Sequence, residues 1–131
     1  MRLAVALVAV ALPSVALARP STQQAKTLAS YCSSSGDICY GLIRRAGVVR
    51  AEITTAAHYF NRYTLCVRPP GTGAAGARRC GSFPVFRQSG ATWGSSVRLA
   101  RQFPLVKSGI VRVTWKLASG PLGPTLRFRF R

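Results

Sequence analysis

Acidic side chains are nearly missing from this chain. Asp37 and Glu52 are its only carboxylate side chains in 131 residues, and His58 is its only histidine. Glycoside hydrolysis needs two facing carboxyl groups, and Asp37 is better suited to the Ser33-Ser34-Ser35-Gly36-Asp37 turn. A structural or catalytic metal centre needs clustered His and Cys, yet no C-x-x-C pair occurs and a single histidine cannot cluster. The G-x-S-x-G elbow of a serine hydrolase is absent. So is the G-x-x-x-x-G-K phosphate loop: Gly71, Gly73 and Gly76 lead into Ala77-Arg78 with no helical pattern behind them. Glu52 and His58 are residue types a small nuclease could use, but on one extended strand six residues would hold them about 20 Å apart. A solvated Glu52 neutralising Arg50 or Arg44, and a His58 capping an edge beside Tyr59, is the simpler expectation. No catalytic residue, cofactor or metal site is therefore expected.

The chain opens with Arg2 and an apolar run from Leu3 to Leu12, and this stretch closes on Ala16-Leu17-Ala18. That order predicts a secretory signal peptide over 1–18. The run is too short, and too soon interrupted by Pro13, for a membrane-spanning helix, which needs about 20 residues. The expected location is secreted or cell-envelope. Residues 19–30, rich in Ser, Thr and Gln, read as a loose N-terminal segment, and residues 31–131 as one folded domain.

Four cysteines in an exported chain read as two disulfides. Cys32 and Cys39 flank a turn sequence, and Cys66 and Cys80 flank Pro69-Pro70-Gly71-Thr72-Gly73-Ala74-Ala75-Gly76, which can only be loop. Of the three possible connectivities, Cys32 to Cys39 and Cys66 to Cys80 is preferred.

Between the turns the dominant period is two. Val111, Val113, Trp115 and Leu117 alternate with Arg112, Thr114 and Lys116, and Leu126, Phe128 and Phe130 alternate with Arg127, Arg129 and Arg131. This is the pattern of half-buried strands, and the two runs read as a hairpin. Earlier runs over 39–45, 48–55, 63–68, 79–87 and 95–101 bring the total to about seven strands. The stretch 51–60 also fits helical spacing, but Thr54-Thr55 favours a strand. With 12 Gly, 8 Pro and no long helical pattern, the predicted fold is all-β: an antiparallel β-sandwich with two disulfides.

The segments Leu122-Gly123-Pro124-Thr125-Leu126-Arg127-Phe128, Tyr63-Thr64-Leu65-Cys66-Val67 and Cys39-Tyr40-Gly41 resemble those of small exported basic proteins of high-GC bacteria, over most of the mature chain. The resemblance implies an immunoglobulin-like sandwich and no activity. The chain departs from a true immunoglobulin domain in two places: Tyr63 stands three residues before Cys66 rather than two, and no Trp lies between Cys39 and Cys66.

Nineteen Lys and Arg give a net charge of +17. On the late hairpin the cations occupy alternate positions, so Arg112, Lys116, Arg127, Arg129 and Arg131 should share one sheet face, and Arg98 on a preceding strand could extend it. Guanidinium forks match phosphate and carboxylate, which makes an anionic cell-wall polymer, acidic polysaccharide or nucleic acid the expected partner, with a protein partner as a further possibility. Tyr59, Phe60 and Tyr63 around Asn61 and Arg62 form a candidate stacking platform for sugars or bases. The expected function is a non-catalytic module that binds anionic polymers. The alternative is a secreted cationic toxin or nuclease acting on nucleic acid or membranes.

Overall fold

The computed structural model describes residues 9–14 and 24–131. Of the leader read at 1–18, only 9–14 are described, as exposed irregular chain, and the cleavage site after Ala18 lies outside the described residues. Among the described residues no helix is long and apolar enough to cross a membrane.

The described residues form an all-β sandwich of two antiparallel sheets. There are ten strands where about seven were expected: β1 (Lys26–Cys32), β2 (Ile38–Arg45), β3 (Val48–Thr55), β4 (Arg62–Arg68), β5 (Arg79–Pro84), β6 (Phe86–Ser89), β7 (Thr92–Arg98), β8 (Gly109–Leu117), β9 (Gly120–Pro121) and β10 (Leu126–Phe130). The first sheet runs β1-β2-β3-β7-β6, and the second runs β10-β8-β4-β5 with β9 paired to β8. The chain therefore crosses between sheets three times, after β3, β5 and β7.

The extra strands have local causes. β1 begins at Lys26, inside the segment read as loose at 19–30. Its register with β2 slips between Thr27 and Ala29, and such a bulge puts Leu28 and Ala29 side by side, hiding the alternation. The run 79–87 is two strands, because the chain leaves the second sheet at Pro84, which has no N–H to give a ladder, and buried Val85 bonds back to the Asn61 carbonyl at 3.0 Å. The run 95–101 is displaced: β7 ends at Arg98, and Leu99–Gln102 is a single helical turn. The ambiguous stretch 51–60 stays extended through Thr55 and then bends.

Inward positions alternate as the period requires. Ala51 and Ile53 on β3, Tyr63, Leu65 and Val67 on β4, and Val111, Val113 and Trp115 on β8 are buried. Tyr40 of the first sheet stacks on Trp115 of the second with ring centroids 4.4 Å apart. A buried hydrogen bond also joins the sheets, from Tyr63 Oη to Ser95 Oγ at 2.9 Å. Both disulfides form with the preferred pairing, Cys32 to Cys39 and Cys66 to Cys80, each between directly opposed residues of adjacent strands with Cα atoms 4.1 Å apart. They brace hairpins within a sheet and do not link the two layers.

Candidate polyanion-binding face

The late hairpin forms as its alternation requires, with β10 against β8, and its polar positions face outward on the second sheet. Arg127 lies directly opposite Arg112. On the other side of β8, Arg112 lies directly opposite Arg68 of β4. Three arginines thus form one row across three adjacent strands, at the ordinary spacing of about 4.8 Å between strands, and all three are exposed.

Two hollows share the Arg68 and Arg112 side chains. One, of about 380 Å³, is lined further by Arg78, Lys116, Thr114 and Thr125. Its floor includes Cys66, whose sulfur accepts a hydrogen bond from Arg78 Nη2 at 3.2 Å. The hydroxyls of Thr114 and Thr125 hydrogen-bond to each other at 2.7 Å. The other hollow, of about 540 Å³, lies against the Pro69–Ala77 loop and Ile110. A loop rich in glycine lets the backbone approach whatever occupies this hollow.

The two acidic side chains belong to the opposite layer. Asp37 sits just before β2, and Glu52 lies on β3. Arg50 Nη1 donates to Ser96 Oγ, and that hydroxyl donates to Glu52 Oε1, each at 3.5 Å. Glu52 is therefore linked to Arg50 through a serine, and the second sheet's outer face is left without an Asp or Glu.

The expected site residues divide as follows. Arg112, Lys116, Arg127 and Arg129 are on β8 and β10 of the second sheet, with Arg129 opposite Ile110. Arg98 does not extend this face: it ends β7 in the first sheet, opposite Arg50. Arg131 follows β10 and lines a separate cleft at the end of the sandwich. Arg68 and Arg78, which the sequence reading did not single out, take their places beside Arg112. Arg68 has the outward parity of its run, since Tyr63, Leu65 and Val67 point inward, but nothing local says that β4 pairs with β8.

The aromatic platform does not form. Tyr63 is 2% exposed and bonded to Ser95 in the core, Phe60 is half-buried against the core, and only Tyr59 is open to solvent. Strand parity explains the split, because Tyr63 has the same inward phase as Leu65. Glu52 and His58 also go separate ways. Glu52 lines a shallow hollow with Tyr31 and Thr54 on the outer face of the first sheet. The His58 ring lies flat on Trp93, with centroids 3.8 Å apart and planes 7° apart, in place of the expected edge cap beside Tyr59. Among the described residues no group of three or more His, Cys, Asp or Glu could hold a metal ion. Compared with known proteins, the chain matches no family model, no curated protein and no solved structure.

Proposed function

We propose that the protein is a non-catalytic, exported module that holds linear anionic polymers against the outer face of its second sheet. The observation that carries this reading is the row Arg68, Arg112 and Arg127 on adjacent strands, on a face with no Asp or Glu. Like charges placed directly opposite each other destabilise a sheet by a few tenths to about 1 kcal/mol per pair. A face serving solubility alone works with interspersed signs, so a row of one sign points to a ligand that relieves the repulsion. Arg78 and Lys116 at one side of the row, and the glycine-rich loop at the other, give an extended chain of phosphate or carboxylate groups further donors along its path. The two disulfides fit an oxidising compartment, where wall polymers and acidic polysaccharides are met.

The test is titration of the oxidised protein with polyphosphate and with polygalacturonate at physiological salt. Reversing Arg68, Arg112 and Arg127 together to Glu should lower affinity about 100-fold, as expected for three lost charge-assisted contacts. Reversing Arg45, Arg50 and Arg87 changes the net charge equally and should cost far less. Equal losses in the two triple variants would show that only the overall field matters. Cleavage of the bound polymer by the purified protein would remove the non-catalytic reading.

A further inference from the structure

We infer that the cleft at the end of the sandwich binds a single-chain anionic amphiphile, an acyl chain carrying a carboxylate or phosphate head. This goes beyond the polyanion reading and uses different residues. The β2–β3 turn, the helical turn Leu99–Gln102 and the end of β10 enclose a void of about 630 Å³. Pockets that take small organic ligands span about 300–1,000 Å³.

The walls of the cleft are apolar: Val48, Val49, Leu99, Leu105, Phe128 and Phe130. Its floor is the core itself, since Leu99 is 0% and Phe128 5% exposed. Its remaining large side chains are all cationic. Arg44 from β2, Arg98 from β7, Arg101 from the helical turn and Arg131 after β10 converge on it from separate parts of the chain, and no Asp or Glu side chain lines it. A second hollow of about 410 Å³ shares Arg44, Phe128 and Arg131 and continues past Leu28 of β1. That hollow adds Lys26 and Arg129 to the shared arginines, so the cationic rim of the apolar cleft continues beyond it.

This combination selects the ligand class. A guanidinium is weakly hydrated and holds a carboxylate or phosphate by paired donors, while its aliphatic stem lies along an apolar wall. A neutral hydrophobe would leave the convergent cations repelling one another, and a hydrophilic polyanion would leave the apolar walls facing its charges. Only a molecule with a greasy body and one anionic end satisfies both parts.

The probe is a medium-chain fatty acid with a dansyl group on its tail, titrated into the oxidised full chain without vesicles. Saturable binding of one probe per chain with blue-shifted emission is expected. Lauric acid and lauryl phosphate should both displace it, and lauryl alcohol at least about tenfold less well, since it lacks the charge for the guanidinium contacts. Stronger displacement by the carboxylate would point to a free fatty acid, and by the phosphate to a phospholipid fragment. Ala100→Trp fills the cleft from an exposed position on its wall and should weaken probe binding about tenfold or more, leaving polyphosphate binding intact. Reversal of Arg68, Arg112 and Arg127 should leave probe affinity within about twofold, so the two readings fail separately. Absence of saturable binding, equal displacement by the alcohol, or an unchanged Ala100→Trp would overturn the inference.

Discussion

Tyr40 shows how much one side chain decides. It stacks on Trp115, and its hydroxyl donates to the Pro124 carbonyl at 2.6 Å, tying β2 to the loop before β10. The same contact explains Gly123, where a Cβ would fall 2.6 Å from the Tyr40 oxygen. Burial, and then the nearby Tyr31, push the Tyr40 phenol from its ordinary 10.0 up to about 12. Burial raises Tyr63 as well, against a lowering hydrogen bond with Ser95. An acid raised in the folded state ionises first in the unfolded chain, so the stabilisation is complete below pH 10 and is lost as pH climbs towards 12. Denaturant melts across that window should show stability falling, and Tyr40→Phe should fall less steeply although it starts lower for want of the Pro124 bond. The β2–β3 turn offers a second residue-scale prediction. Ala46 and Gly47 both have positive φ, 53° and 76°, the backbone of a two-residue hairpin turn that favours Asn-Gly. An L-alanine there is strained, so Ala46→Asn should stabilise the protein by about 0.5–1 kcal/mol, read as a higher melting temperature.

At the scale of strands, the row of arginines places stability and binding in opposition. Arg112 faces a like charge on both neighbouring strands. Arg112→Glu replaces two repulsive cross-strand pairs with attractive ones and should raise stability by about 0.5–1 kcal/mol, measured by chemical denaturation, while polyphosphate binding falls. A variant less stable than the parent would mean that the row is held apart by solvent and exerts no strain. β3 spans the residues its alternation marks, and β8 and β10 pair as the hairpin their patterns suggest, because each buries one face and so carries a clean period of two. β1 was unreadable for the opposite reason: it is an edge strand with a bulge, and its apolar residues Leu28 and Ala29 stand adjacent. The split between β5 and β6 depends on which sheet each half joins, and Pro84 marks the break without saying where the chain goes next.

For the whole molecule, a charge of +17 acts on folding and binding with opposite sign as salt is added. Self-repulsion of the compact state is screened, so thermal stability should rise from low to physiological ionic strength. Polyanion affinity should fall over the same range, because binding releases condensed counterions in proportion to the phosphates neutralised, with a slope of about −0.7 per contact for single strands. Arg68, Arg112 and Arg127 should contribute about −2 to the logarithmic slope, and reversing all three should make it shallower by about that amount, leaving the share of Arg78 and Lys116. A slope unchanged by that reversal would assign binding to cations elsewhere. The disulfides keep the hairpins closed under this repulsion, each stabilising by about 2–3 kcal/mol in the loop-entropy picture.

The order of residues alone marked the all-β class, a preference for the cysteine pairing that forms, and the outward phase of Arg112, Arg127 and Arg129, since each follows from contacts between neighbours along the chain or across one connecting loop. Only the tertiary structure decided which strands became neighbours over long separations. That choice brought Arg68 beside Arg112, sent Arg98 to the other sheet, and gathered four arginines around an apolar cleft. Alternation tells a side chain whether it faces in or out. Which side chains meet is set by how the two layers close on each other, because burial of their apolar faces fixes strand order and register together.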